Sequence, residues 1–296
     1  MTPETNEKSI RERLDEAFRV LGCVPRPWRS GECTIEWQGR TFPVRVETLG
    51  QQVPIDITDA EPDELAFGIS GILGIPLPDR LLFDFESARP WLRPRVVTRE
   101  HLKGPDRAMC RRDAFGPLLK AATVGLGPRA GFVTTRTLDQ WPVEFEDVLL
   151  IAQENLKRTL DPEMLAEIEG APGLLALVSD LIPGSSASLA PEAVLLPGVE
   201  DCVFSVPTMD SMLVLPLDGH ATVDHLAMLI QSTLSMFAES HDPLLDQLFW
   251  YRNGRNELLR VLSTDEGDAW RAHIESTPLV RELLRALGET DQDLMG

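Results

Sequence analysis

Residues 201–217, Asp-Cys-Val-Phe-Ser-Val-Pro-Thr-Met-Asp-Ser-Met-Leu-Val-Leu-Pro-Leu, decide the class of fold. Two short apolar runs, CVFSV and SMLVLPL, flank the turn residues Pro207-Thr208-Met209-Asp210, which predicts a β-hairpin of buried strands. Downstream, Thr222 to Glu239 reads as a long helix, apolar around much of its girth and hence packed on more than one side. Leu248 to Tyr251 and Glu257 to Leu262 flank Asn253-Gly254, a strong two-residue hairpin signal. Ser263 and Glu266 have the spacing of a capping box before a last helical region, where Leu279, Val280, Leu283, Leu284 and Leu287 form an apolar stripe. Hairpins interleaved with separate helices make the chain α+β.

Working towards the N-terminus, Glu144 to Thr159 is an amphipathic helix with Phe145, Val148, Leu149, Ala152 and Leu156 on its core face. Acids crowd its first turn and Lys157 and Arg158 its last, as the helix dipole favours. Gly173 to Ser179 fits strand or helix, and Gly131 to Thr134 fits a strand. Glu7 to Leu21 is a helix stopped by Gly22. Thr34 to Trp37 and Thr41 to Val46 form a hairpin around Gln38-Gly39, and Val53 to Ile57 alternates as a third strand. Asp63 to Leu73 suits a short buried helix despite its glycines. Prolines then punctuate short extended pieces, Arg95 to Thr98 among them, before a helical stretch from Ala114 (AFGPLLKAATVGL). The expected organisation is two subdomains, 1–125 and 131–296, each an antiparallel or mixed sheet with packed helices. A chain of 296 residues buries roughly 75% of its unfolded surface, near the size where one core divides.

Charge is regional. No lysine or arginine occurs between Arg158 and Arg252, while those 93 residues carry fourteen Asp and Glu. Residues 1–150 contribute -3 and residues 151–296 contribute -16 of the net charge of -19. Such a field attracts basic partners and repels nucleic acid. The scarcity of lysine, four against twenty-four arginines, lessens the weight of the missing bases. One basic run, 89–112, holds seven arginines and Lys103 against Glu100 and Asp106. With no aromatic interleaving beyond Trp91 it argues against a nucleic-acid surface, and it offers an internal counterpart to the acidic half.

Four cysteines at 23, 33, 110 and 202 show no CxxC and no zinc spacing, as expected of reduced, buried thiols in a cytoplasmic protein. The N-terminal residues have no apolar h-region, and no run of 18 apolar residues occurs, so neither secretion nor a membrane span is expected. Gly125 to Gly131 looks like a phosphate-cradling loop, but a helix before it and a strand after it reverse the order that such loops require.

Thr137-Leu138-Asp139-Gln140-Trp141, followed by Val148, Ala152 and Asn155-Leu156, resembles a signature of the YtpQ-like bacterial proteins of unknown function. The small-residue stretch Ser185 to Leu189 is similar in place, and Phe204 to Val214 resembles their strand pair through Pro207, Asp210, Leu213 and Val214. The resemblance spans about residues 131 to 262. Met209 stands where an arginine would precede the aspartate, and Trp141-Pro142-Val143 lacks the glycine and capping serine. The resemblance implies an α+β framework related to secretion-chaperone-like folds that bind other polypeptides, and it carries no mechanism.

Candidate chemistry is sparse. Asp218, His220, Asp224 and His225 have the ligand types of a metal site, although Asp224 and His225 are neighbours pointing about 100° apart if the helix starts at Thr222. A serine triad could draw on Ser186 or Ser211, His220 or His241, and Asp210 or Asp242, without a GxSxG elbow. Cys202 has no neighbouring base. Glu200-Asp201 is a carboxylate pair that could do general acid/base work, although acids between a glycine and an apolar strand ordinarily serve a turn. Phe249-Trp250-Tyr251 sets three rings in a row on one strand, so at least one should face away from the others. The reading is a non-catalytic, cytoplasmic protein-binding module, chaperone-, immunity- or adaptor-like, with Asp210, Asp218, Trp250 and Tyr251 as binding residues and no cofactor. The alternative is a metal-dependent or serine hydrolase centred on 210–225, with His220, Asp224 and His225 as ligands. A third reading is passive, acidity serving solubility alone.

Overall fold

Period-two alternation and a tight Gln38-Gly39 turn build the first sheet. The computed structural model describes residues 3–53, 57, 59–100, 108–127, 129–177, 179, 182–195, 198–266 and 269–289. Helix α1 (Pro3–Val20) buries Leu14, Ala17 and Phe18 completely. Strands β1 (Val24–Pro25), β2 (Glu32–Trp37) and β3 (Arg40–Arg45) form a three-stranded antiparallel sheet in that order. Val46 does not prolong the hairpin. It opens α2 (Val46–Gln52), and the strand expected over 53–57 lies, at 54–56, outside the described residues.

The glycines of α3 (Pro62–Leu73) have a packing reason. A Cβ at Gly71 would stand 1.7 Å from the carbonyl oxygen of Leu126, so only glycine lets this helix lie on the 125–127 turn. Short helices α4 (Asp79–Leu82) and α5 (Phe85–Ala88) lead into β4 (Leu92–Val97). The second sheet adds β5 (Arg111–Asp113), β6 (Leu119–Val124) and β7 (Gly131–Phe132), with β6 antiparallel to all three others. The helix expected from Ala114 is therefore a strand: its apolar run is short, and neighbours on both sides satisfy its backbone, which outweighs local helix propensity. Gly125 and Gly127 consequently follow a strand, and they turn the chain between β6 and β7.

After α6 (Thr135–Leu138), helix α7 (Phe145–Thr159) buries Phe145, Val148, Leu149, Ala152 and Leu156, the stripe read from the sequence. It lies against β4. Its Asn155 amide donates to the carbonyls of Arg89 (2.8 Å), Leu92 (3.2 Å) and Pro90 (3.4 Å). Phe145 to Ala152 join the core of the first sheets, whereas Leu156 joins the next core.

The third sheet carries the hairpin that opened the reading. Its strands are β8 (Leu165–Ile168), β9 (Ala171–Leu177), β10 (Cys202–Ser205), β11 (Leu213–Pro216), β12 (Leu248–Arg252) and β13 (Arg255–Leu259). They stand in the order β13-β12-β10-β11-β9-β8, with Phe204 opposite both Val214 and Phe249. Alternation divides each central strand: Cys202, Phe204, Phe249 and Tyr251 enter one core, and Val203, Leu248 and Trp250 the other. The first of these cores takes Val96 from β4, Leu118 from the turn between β5 and β6, and residues around α8 (Gly184–Ala187). The other is covered by α9 (Val223–Glu239) and α10 (Pro278–Ala286). Positive φ at Asn253 and Gly254 makes the tight turn that their dipeptide signals.

Ser263 and Glu266 do not cap a helix. They lie in β14 (Val261–Glu266), paired antiparallel with β15 (Ala269–Ile274), because the serine-to-glutamate spacing also fits a strand once a partner strand follows. The cap of α10 is Thr277, whose hydroxyl accepts from Val280 N at 3.2 Å. Among the described residues, no helix is long and apolar enough to cross a membrane. All four cysteines are buried free thiols. Burial pushes Cys23 up to about 11 and Cys33 up to about 12, and raises Cys110 and Cys202 as well.

Gly71→Ala should lose at least about 3 kcal/mol in urea unfolding, since the backbone it meets cannot give way cheaply. Gly131→Ala, where a Cβ meets nothing within 4 Å, should change stability by about 0.5 kcal/mol or less.

Candidate functional site

The entry into α9 organises a half-open concavity. Thr222 caps the helix, its hydroxyl accepting from His225 N at 3.4 Å, and the Thr222 N–H donates back to His225 Nδ1 at 3.1 Å. This is a capping box with histidine where glutamate or glutamine usually stands. An Nδ1 that accepts leaves the proton of the neutral ring on Nε2. That edge faces Gly173, where an added Cβ would sit 3.3 Å from Nε2. Asp218 Oδ1 accepts from His220 N at 2.9 Å and holds the turn before the cap.

Together these elements wall a half-open pocket of about 210 Å³ at the end of the third sheet. Leu165, Leu175, Leu195, Val199 and Leu215 make its apolar lining, and Asp218, His220 and His225 its polar rim. Every lining residue falls between 165 and 225, inside the stretch without lysine or arginine. Asp224 is exposed in the first turn of α9 and does not line the pocket. Among the described residues, no group of three or more His, Cys, Asp and Glu is placed to hold a metal ion. His225 is committed to the cap and Asp218 to the turn.

Asp210 sits at the opposite end of β11, exposed, with its carbonyl accepting from Gly184 N at 3.1 Å. The two segments touch backbone to backbone: a Cβ at Gly184 would lie 2.6 Å from Met212 N. Here Ser185 Oγ donates to Met209 O at 2.6 Å, and Ser211 Oγ lies 2.7 Å from Thr208 Oγ1. Ser186 is buried, its hydroxyl without a hydrogen-bond partner, in a small cavity lined also by Arg93 and Arg95. The serine stretch thus packs the junction of two sheets.

Arg95 is the residue that sequence reasoning missed. It is buried, donates from Nη2 to Gly127 O at 2.8 Å, and lies in the field of Asp210 and Asp242. Burial pulls its guanidinium down to about 10 against the opposing pull of those two acids. Alternation offered the one signal, since Arg93 and Arg95 share a strand face. Elsewhere in the basic run, Arg112 pairs with Glu146, Arg89 with Glu86 at 3.7 Å, and Arg99 with Asp113 at 4.0 Å. Residues 101–107 lie outside the described residues.

The three-ring run presents no ring to solvent. Phe249, Trp250 and Tyr251 are all buried, because β12 is an inner strand covered on both faces. Arg252 stacks its guanidinium 4.1 Å from the Trp250 ring centroid and bridges Glu257 (2.5 Å) and Glu282 (2.7 Å). Burial pushes the Tyr251 hydroxyl up to about 12, helped by the charge of Glu192 and by a hydrogen bond to it. Burial also raises Asp201, with Glu200 adding to it. Trp250 and Tyr251 are thus core residues, and exposed binding roles do not fit them. Comparison with known proteins adds no relative: no family model, no curated protein and no solved structure matches the chain.

Thr222→Ala should cost about 1 kcal/mol in denaturant unfolding through loss of the cap, whereas His220→Ala should stay within about 0.5 kcal/mol. Tyr251 is the chain's one tyrosine, so phenolate absorbance reports it alone. Its native titration should sit near 12, against about 10 in denaturant. Because the folded value is the higher, this contribution to stability is complete below about pH 10 and fades as pH rises towards 12. Tyr251→Phe should abolish it, and an ordinary native titration would refute the buried placement.

Proposed function

We propose that this chain is a non-catalytic protein-binding module that receives a basic polypeptide segment on the surface of residues 159–251. One observation carries the reading. Thirteen of the fourteen acids in that stretch are described, and all but Asp201 and Asp246 are exposed. They decorate strands, turns and helix ends of a folded sheet. Lys157 meets Glu192 at 3.0 Å from the border of the stretch, and Arg95 draws on Asp210 and Asp242. The acids around the pocket, Asp218 and Asp224, are directed outward with neither role. A surface of one sign speeds and selects encounters with the opposite sign.

The proposal extends to kinship and place. Residues 131–262 resemble the YtpQ-like bacterial proteins, and the residues behind that resemblance have framework roles here. Trp141 Nε1 donates to Leu82 O at 3.0 Å, Asn155 holds three carbonyls, and Leu156 is fully buried. A chain whose four thiols are reduced and buried suits a reducing cytoplasm.

Calorimetric titration with lysine- and arginine-rich peptides tests the reading. Basic peptides should bind at low salt and weaken by at least about tenfold when salt is raised to several times physiological strength, while acidic peptides of the same length should not bind. Equal binding of both sets, or none of the basic set, would refute it.

A further inference from the structure

Resting on that binding reading, we infer that the pocket between β8, β9, β11 and the start of α9 is an anchor subsite. Its occupant is one apolar side chain, leucine to phenylalanine in size, from a segment in which lysine or arginine flanks that residue. The size of the cavity points to a side chain. Its volume of about 210 Å³ lies below the roughly 300–1,000 Å³ of pockets that enclose drug-sized molecules. Single residues seated in such recesses, ringed by polar groups, carry much of the energy of protein recognition.

The lining fits that occupant. Leu165, Leu175, Leu195, Val199 and Leu215 offer aliphatic walls against which an incoming apolar group loses water. His225 closes one side with its ring held by the cap. The mouth determines what flanks the anchor. Asp218 is exposed at the rim, and Asp224, also exposed, immediately precedes the lining residue His225 in the first turn of α9. On the neighbouring edge strand, Glu167 is exposed with its carboxylate fixed by Gly173 N at 2.9 Å. No lysine or arginine is among the lining residues. An acidic segment would meet like charge at Asp218, Asp224 and Glu167, whereas a basic one would find carboxylates there.

The test uses the full chain and short peptides of equal positive charge that differ only at a central alanine, leucine, phenylalanine or tryptophan. Leucine and phenylalanine peptides should bind about tenfold or more tighter than the alanine peptide, the return expected for burying such a side chain. Ala221→Phe, at the half-buried rim, should erase that preference while leaving the salt-sensitive binding of the alanine peptide. Leu165→Ala, which enlarges the pocket, should shift the preference towards tryptophan, a gain that misfolding cannot produce. Salt-sensitive binding of equal strength across the set would overturn the anchor and leave the acidic-surface reading standing. Neutral peptides binding as tightly as charged ones would overturn the basic flanks, and absence of all binding at low salt would overturn the underlying reading itself.

Discussion

Strands β10 and β12 are apolar on both faces, and the rest of the structure follows from hiding both at once. A strand exposed on one side needs one covering layer; these need two. Helices α9 and α10 supply the first, packed over Val203, Leu248 and Trp250. The second cannot be completed by neighbouring sequence alone, and Val96 of β4 and Leu118 of the β5–β6 turn enter it beside Phe204 and Phe249. Each large side chain hidden there contributes about 1.5–3 kcal/mol, so this second layer holds the sheets together. The close approach of Gly184 to Met212 and the reach of Asn155 across to β4 are local consequences of that demand.

Apolarity on both faces also fixes where charge can go. Inner strands have no room for carboxylates, so the acids of this region are displaced to edges, turns and helix ends. There they do local work first: Asp218 braces a turn, Glu167 holds a strand connection, and Asp224 meets the positive end of a helix. The acidic surface is therefore the outside of a sheet whose inside had to be aliphatic. The pocket lies where these meet, its walls made by strand side chains and its rim by turn residues.

Much of this was legible in the sequence. The hairpin at 201–217, the turn at Asn253-Gly254, the stripe of α7 and the span of α9 were readable because each depends on spacing within a few residues. What escaped depends on contacts distant in the chain. Nothing local distinguishes Leu119 to Val124 as a strand until β4 and β5 flank it, and Ser263 to Glu266 reads as a cap until β15 pairs with it. Likewise, consecutive aromatic rings imply an exposed one only if a face of the strand is open, and that is a property of the sheet. Of the candidate residues, Asp218, His220 and His225 do meet at one pocket, because they lie close along a single connection. Arg95 was hidden from sequence reading since its partners, Gly127, Asp210 and Asp242, come from other segments.

The absence of lysine and arginine between Arg158 and Arg252 has a further consequence, one of processing. Trypsin finds no bond to cut between Arg158 and Arg252, so that span leaves a full digest as one long peptide even when unfolded. The same surface offers no side-chain amine for acylation or for conjugation to ubiquitin-like tags. Covalent regulation of lysine by those routes must act elsewhere on the chain, at Lys8, Lys103, Lys120 or Lys157.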